Sequence, residues 1–556
     1  MSVAHIKKLI QYFFPHKIEI LIILISLVFY AGYYLSIPLL RKNLIDNGFL
    51  TLNFSYIIKF ILLIFLLDIV NNIIEFIKEK ARASISVKIE KKLYEQIFGA
   101  LFDVKQIYFK KKNIAEIIND IQIDINNIVK ICDNNVFFVS TQLLMFVGGG
   151  IGLFIINDQM ALIVLCIIPI KYFIISKFSK RKKVYAENYL TSVNKFSHWM
   201  GDTINGIKEI KLHNLQTQKN REMDGYIKNM IFEKKRMTIL DGLNVVSDSF
   251  LLNILEVSIY LAGGILIFKT QLSLGSLFAF VTYTYQVMDP ISAVMNVKYI
   301  FQGIIPSSIR YHNLLVYCKK NKENIGNKTI YEIQTIEFKD VNFTYDKKLL
   351  FDNLSFKIVK GDKIVIMGEN GTGKSTIIRL LLGLETLNIG NIKINGIDLY
   401  DIDLNRYRKN IFCLAQDSYI FNTTLLKNID LHDGKPINFD KLLYNFKYDD
   451  LIEKYKDKNV GINGELLSSG ERQKLLFARA LAYEKDLYIF DEATSNLDKV
   501  SQHILATLLK NELKNKTVII IAHNDSVLQY MNKIIFLKRN GKFEYYETLY
   551  DFMKKN

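Results

Sequence analysis

Cysteine is scarce. The chain of 556 residues has 4, at Cys132, Cys166, Cys318 and Cys413. None has the paired spacing of a disulfide framework or a zinc site. A small-residue cleavage site is also missing. After the first apolar run stands Ser36-Ile37-Pro38, so that run reads as a lasting membrane segment and not as a signal peptide. Glycine and proline are few in the long stretches between apolar runs, which argues against loose loops there. Finally, the second half lacks a surplus of positive charge. Residues 331–556 hold 33 Lys+Arg and 31 Asp+Glu, so nearly all of the formal net charge of +17 belongs to residues 1–330. A basic half is compatible with nucleic-acid binding, but the positions of its charges favour membrane topology and no nucleic acid.

What is present is apolar sequence. Hydrophobic residues make up 50% of the chain and mean hydropathy is +0.14, high for a soluble protein and low for one wholly in the membrane. Ile18–Ile37 carries one charge, Glu19, at its edge. At about 1.5 Å per residue such a run crosses the hydrocarbon core. Five more runs follow, Tyr56–Ile77, Val136–Ile156, Met160–Phe178, Val245–Phe268 and Ser276–Asn296, giving six expected spans. Spans three and four are parted only by Asn157-Asp158-Gln159, and spans five and six by Lys269 to Gly275. The connections from Ile77 to Val136 and from Phe178 to Val245 are long and basic, with Lys180-Arg181-Lys182-Lys183 and Lys234-Lys235-Arg236 among their charges. The positive-inside rule puts them in the cytoplasm together with the N-terminus, where Lys7, Lys8 and Lys17 lie. Ile85, Ile89, Leu93 and Ile97 keep helical spacing, so the membrane helices are expected to run on beyond the bilayer. Two breaks, near Lys105–Asn113 and at Asn205–Leu212, fit either short transverse helices or ordinary turns.

Lys319–Asn327 is polar and aperiodic, and residues 319–330 read as a linker. Beyond it, Gly368-Glu369-Asn370-Gly371-Thr372-Gly373-Lys374-Ser375-Thr376 has the form G-x-x-x-x-G-K-S. An apolar β-branched run, Lys363–Met367, precedes it and a helical run follows, which is the context of a phosphate-binding loop. There backbone N–H groups and a helix N-terminus cradle phosphate. Lys374 reaches the β- and γ-phosphates and Ser375 holds Mg²⁺. A second strand, Leu487–Phe490, ends in Asp491 and Glu492, a Mg²⁺-holding carboxylate and a group placed to polarise water. A third, Val518–Ile521, leads to His523, and Gln416 ends a fourth. Tyr345 is suited to stack on a base, or is a buried strand tyrosine. Leu467-Ser468-Ser469-Gly470-Glu471 opens a helix and forms an anion site with no phosphate of its own loop within reach.

In this order, the motifs resemble the nucleotide-binding domain of the ATP-binding cassette (ABC) family, and the whole chain resembles an ABC exporter half-transporter. The resemblance implies a fold of six long transmembrane helices followed by an α/β P-loop cassette, with residues 1–318 and 331–556 as the two domains. It matches Tyr345 to the adenine-stacking aromatic, Gly368 to Thr376 (with Asn370, Gly371 and Gly373) to Walker A, and Gln416 to the Q-loop. Asp491 and Glu492 match Walker B and the catalytic glutamate, Ser495–Asp498 the D-loop, and His523 the switch histidine. Gln416 is implied as a Mg²⁺ contact as well. Ser468, Gly470 and Glu471 match the signature, where Ser469 and Glu471 depart from L-S-G-G-Q. Ile462 stands where the family has its X-loop glutamate. Gly206–Leu212 resembles the second coupling helix.

The resemblance implies two ATP with Mg²⁺ sandwiched between two cassettes, hence a dimer, expected to be a homodimer in a bacterial inner or plasma membrane with the ATPase domain cytoplasmic. Only 17 residues precede the first span, so no peptidase domain is expected. The candidate cargo is a mature peptide, a lipid or lipid-linked sugar, or a hydrophobic drug. Asp68, Asn71, Asn72 and Glu75 share one face of span two, and Glu256 and Asp289 lie in spans five and six. Carboxylates at mid-bilayer belong in a wet interior, which points to a cationic or amphipathic peptide. Protonation, or hydrogen bonding between helices, is the alternative.

Overall fold

The computed structural model describes residues 11–111, 114–132, 134–323, 326–345, 348–415, 417–431, 449–455, 458–491, 505–522, 525–539 and 541–555. Two compact units emerge. One comprises Met1–Phe102 with Ile114–Lys319; the other comprises Asp103–Asn113 with Lys320–Asn556.

The first unit is helical. α1 covers Lys17–Leu44 and continues as a π-turn to Phe49, and α2 covers Phe54–Phe102. After the short α3 (Ile107–Lys111), which clusters with the second unit, come α4 (Ile114–Val129), α5 (Asn134–Ile156), α6 (Asp158–Asn205), α7 (Ile207–Leu212), α8 (Gln216–Phe268) and α9 (Leu274–Lys320). Helices α2, α6, α8 and α9 have 49, 48, 53 and 47 residues. At about 1.5 Å per residue each is more than twice as long as a ~30 Å hydrocarbon core is thick. The expected cytoplasmic extensions are therefore continuous helix, and both expected breaks form short helices, α3 and α7.

Burial changes along α2. Ile61, Leu62, Phe65, Leu66, Ile69 and Ile73 are exposed, while Ile85, Ile89, Leu93 and Ile97 are buried. The first group suits a lipid surroundings and the second a helical core on the i, i+4 stripe. Among the described residues five helices are long and apolar enough to cross a membrane; the sixth expected run, Ser276–Asn296, lies within α9.

Proline shapes α1. Pro38 lies inside the helix and is buried. Without an N–H it leaves the carbonyl of Tyr34, four residues back, without its usual donor. Gln286 Nε2 of α9 donates to that carbonyl at 3.2 Å. The Tyr283 hydroxyl, one turn away on α9, donates to the adjacent Leu35 carbonyl. Its ring fills a notch in α5, where a Cβ at Gly152 would stand 2.5 Å from Tyr283 Cζ. Spans one, three and six are thereby locked together.

The second unit carries two sheets. β1 (Thr335–Tyr345), β2 (Lys348–Val359), β4 (Ile389–Ile394) and β5 (Ile397–Asp398) form an antiparallel sheet in the order β2-β1-β4-β5. The other runs β10-β9-β3-β8-β7-β6, with β3 at Lys363–Gly368, β6 at Ile411–Leu414, β7 at Leu487–Asp491, β8 at Thr517–Ile521, β9 at Lys533–Leu537 and β10 at Phe543–Tyr546. All its pairings are parallel except β10–β9. Every residue of β7 and β8 is buried, as a parallel sheet covered on both faces requires. β8 lies between β3 and β7, so the strands that end in the three expected motifs are neighbours.

Asp103–Asn113 is held within this unit. Lys105 N–H donates to the Asn321 carbonyl at 3.1 Å, Glu323 N–H to the Asp103 carbonyl at 2.8 Å, and Lys105 Nζ to Thr386 at 3.2 Å. Arg408 then binds the Glu323 carboxylate at 2.8 Å and the Leu382 carbonyl at 3.0 Å.

Candidate nucleotide site

The phosphate loop joins β3 to α10 (Lys374–Leu381). Its turn depends on glycine at both ends. Gly368 has φ 141° and a Cβ there would stand 2.4 Å from the Leu537 carbonyl oxygen; Gly373 has φ 97° and a Cβ would meet Phe351 at 2.8 Å. Only glycine adopts this backbone without penalty in such space. The chain then enters α10 with Gly373 as its N-cap and no side-chain cap, so the first N–H groups of the helix face the loop's concavity. Lys374 is buried, its Nζ donating to the carbonyls of Gly368 at 2.8 Å and Glu369 at 3.0 Å. Its position over the loop is thus set by the loop itself.

Ser375 Oγ donates to Asp491 Oδ1 at 3.0 Å. A hydroxyl and a nearly buried carboxylate beside a cradle of N–H groups are hard oxygen ligands in the setting Mg²⁺ takes with a nucleotide. The residues present fit that ion. Asp491 sits at the carboxyl end of β7, separated from β3 by β8, where open α/β sheets bind ligands. Tyr345 ends β1, half-buried against the core with its ring 6.1 Å from that of Phe343. Gln416, Glu492, Asp498 and His523 lie outside the described residues.

The Ser468–Glu471 turn opens α14 (Ser469–Ala482), after α11 (Leu404–Lys409), α12 (Leu425–Ile429) and α13 (Asp449–Tyr455). Ser468 is its N-cap, forming a reciprocal box: Ser468 Oγ accepts from Glu471 N–H at 3.3 Å and Glu471 Oε2 accepts from Ser468 N–H at 2.8 Å. Glutamate or glutamine at N3 closes this box, and an ionised glutamate makes the stronger acceptor. Glu471 also accepts from Lys454 Nζ at 2.7 Å. Burial alone would raise its pKa, but the bonds from Lys454 and Ser468 outweigh it and bring the carboxyl down to about 2. Ser468 and Ser469 remain exposed. Ile462, at the X-loop position, is also exposed.

The sequence reading missed how α14 is braced. Arg472 donates to the Ser418 carbonyl at 3.1 Å, and Arg479 to the carbonyls of Tyr419 at 2.9 Å and Asn428 at 2.7 Å. The guanidiniums thereby tie the signature helix to the loop that follows position 416 and to α12. Periodicity gives no sign of such bonds, because carbonyl partners leave no trace in side-chain identity.

Residues 20–291 match the family described as ABC transporter transmembrane region, and residues 351–495 the family described as ABC transporter. The chain belongs to the ATP-binding cassette exporters. Its fold is similar to that of a bacterial Atm1-family ABC exporter with ATP bound, with TM-score 0.80 and 18% identity over 97% of each chain. A Rickettsia typhi protein named as an export ATP-binding/permease protein is 26% identical, covering 100% of this chain and 98% of its own. The ATP-dependent lipid A-core flippase 1 of Colwellia psychrerythraea is 26% identical over 96% of this chain and 91% of its own. This ABC exporter is a half-transporter, an integral membrane protein whose ATPase domain binds and hydrolyses ATP to drive transport.

In the exporter's membrane unit, three of the four candidate pathway acids have side-chain partners. Asp68 accepts from the Tyr33 hydroxyl at 2.5 Å, Glu75 from Lys78 at 2.8 Å, and Glu256 from Tyr285 at 2.8 Å and Tyr260 at 3.0 Å. Asn72 and Asp289 are exposed. The structure adds a cation that the sequence reading counted as part of an apolar run. Lys171 of span four is almost fully buried and pairs with Asp248 of α8 at 2.8 Å. A lone lysine in the middle of a span was the available signal.

Proposed function

We propose that two copies of this chain form an exporter that carries an amphipathic, cationic peptide outward across a bacterial inner membrane by alternating access. The domain limits are 1–318, 319–330 and 331–556, with six spans in the first. Each ATP is held by Lys374, the glycines Gly368, Gly371 and Gly373, Asn370, Ser375 and Thr376 of one chain and by Ser468 and Gly470 of the other, with Tyr345 against the base. Ser375, Asp491 and Gln416 hold Mg²⁺, which neutralises charge on the phosphates when bound. Glu492 orients the attacking water, His523 contacts the γ-phosphate, and Asp498 joins the two sites.

The single observation that carries the nucleotide part is the Ser375–Asp491 contact at 3.0 Å beside the glycine cradle. The cargo reading rests on Asp68, Glu256 and Asp289 in spans that bring no cation of their own to their centres. The tyrosine partners of Asp68 and Glu256 are neutral donors, which bring no opposite charge to them. A lipid or lipid-linked oligosaccharide is the second reading, favoured by the lipid A-core flippases among the relatives. Substrate-stimulated ATPase in lipid bilayers separates the two. A cationic peptide is expected to stimulate the parent and not the variant with Asp68→Asn, Glu256→Gln and Asp289→Asn. Equal stimulation of both overturns the acidic-pathway reading, no stimulation of the parent by the peptide overturns the peptide reading, and stimulation by lipid-linked sugar alone establishes the second.

A further inference from the structure

The signature turn is an anion site that carries an anion. Glu471 lies at N3 of α14, one residue after Gly470, in the helical turn whose exposed Ser468 and Ser469 face outward. A carboxylate beside an incoming triphosphate is repelled by it, and the repulsion acts within a few ångströms in a partly dry interface. The structure supplies a counter-charge from another helix. Lys454, near the end of α13, places Nζ 2.7 Å from Glu471 Oε1. Tyr455, next along, donates its hydroxyl to the Leu466 carbonyl at 2.9 Å and reaches Glu471 Oε2 at 3.4 Å. Two successive residues of α13 thus grip both the carboxylate and the chain leading into the signature.

We propose that Lys454 is a positioning residue for the trans ATP site: it cancels the charge of Glu471 and holds that carboxylate on the Ser468 N–H, away from the γ-phosphate. This rests on the reading of Ser468–Glu471 as the second half of a composite ATP site. Glutamate makes a stronger capping box than glutamine, because an ionised acceptor strengthens the bond to the Ser468 N–H. Lys454 is what makes that gain compatible with binding an anion.

The test uses the full-length exporter in lipid bilayers and reads kcat and KM for ATP. Lys454→Ala is expected to raise KM about tenfold with kcat within about twofold, and added salt to shrink the defect. Lys454→Arg is expected to keep the parental KM. The decisive variant is Lys454→Ala with Glu471→Gln, expected to return KM to that of Glu471→Gln alone, since no charge then needs cancelling. A parental KM in Lys454→Ala, or a double variant as impaired as Lys454→Ala, overturns the proposal; the second result assigns Lys454 a purely scaffolding role. Gly470→Asp, which puts a second carboxylate into the turn itself, runs alongside. If it hydrolyses ATP like the parent, the composite-site reading itself fails. If it is inactive while Lys454→Ala is normal, only the role of Lys454 fails.

Discussion

Gly373→Ala isolates what the phosphate loop costs to build. Alanine at φ 97° pays about 1–2 kcal/mol for left-handed backbone. Its Cβ also stands 2.8 Å and 2.9 Å from Cζ and Cε1 of Phe351. That ring has no easy escape, because it projects from β2 into the core, buried, with Phe343 6.3 Å away. Crowding a packed core costs about 1–3 kcal/mol more. A surface loop escapes such strain by relaxing locally, so the penalty falls on the step that needs the strained shape, which is ATP binding. The sum, about 2–5 kcal/mol, corresponds to roughly 300-fold weaker binding near its middle. Gly371 and Gly361 separate the terms. Both have positive φ, 79° and 90°, with open space at Cβ. Gly371→Ala therefore pays strain without crowding and is expected to weaken ATP about tenfold. Gly361→Ala lies before β3, remote from the phosphates, and is expected to lower thermal stability with ATP affinity unchanged. Equilibrium ATP titration and thermal unfolding of the three variants make the comparison. If Gly373→Ala binds ATP within about twofold of Gly361→Ala, the loop does not hold phosphate in this shape and the argument fails.

Three further outcomes are expected. Glu492→Gln is expected to bind ATP and hydrolyse it at least 100-fold more slowly than the parent, as about 10²–10⁴ of rate is typical of a general base; near-parental turnover refutes the assignment. Glu471 has its pKa depressed in the folded chain to about 2. Its stabilising effect is therefore full above its ordinary pKa near 4.5 and is lost as pH falls from there toward 2. Acid unfolding followed by circular dichroism should be shallower over that window in Glu471→Gln, and identical curves count against it. Gln286→Leu is expected to orphan the Tyr34 carbonyl at Pro38 and lower stability by about 1–2 kcal/mol, read as a lower unfolding temperature in lipid nanodiscs; no change shows that another donor serves that carbonyl.

How much was legible in the sequence depended on the kind of signal. Long apolar runs and their i, i+4 continuation through Ile85, Ile89, Leu93 and Ile97 announced helices of about 50 residues, because one stripe is repeated over many turns. The phosphate loop was legible because glycine at Gly368 and Gly373 is forced by φ and by the neighbours Leu537 and Phe351, so the constraint is written in residue type. The capping role of Glu471 was overlooked in favour of its mismatch to a family motif, although Ser468 three residues ahead spells a capping box. The braces from Arg472 and Arg479, and the repair of Pro38 by Gln286, join residues tens to hundreds of positions apart through main-chain carbonyls. Nothing in the type of Tyr34, Tyr419 or Asn428 marks their carbonyls as acceptors, so these contacts are invisible until the chain is folded.

The charges in the membrane unit obey one rule that the sequence alone did not disclose. Asp68 and Glu256 each take a tyrosine hydroxyl from a neighbouring span or turn, while Lys171 takes the carboxylate of Asp248. A tyrosine hydroxyl brings no charge to the carboxylate it meets, whereas a lysine brings an opposite one. The spans thus hold two kinds of carboxylate contact, one to tyrosine hydroxyls and one to a lysine. If Asp68 and Glu256 served only to glue helices together, a lysine or arginine partner would be the stronger glue, and the chain has shown with Lys171 that it can bury one. Tyrosine instead orients the carboxylate without adding an opposite charge, which is the arrangement the proposed pathway for a cationic peptide calls for.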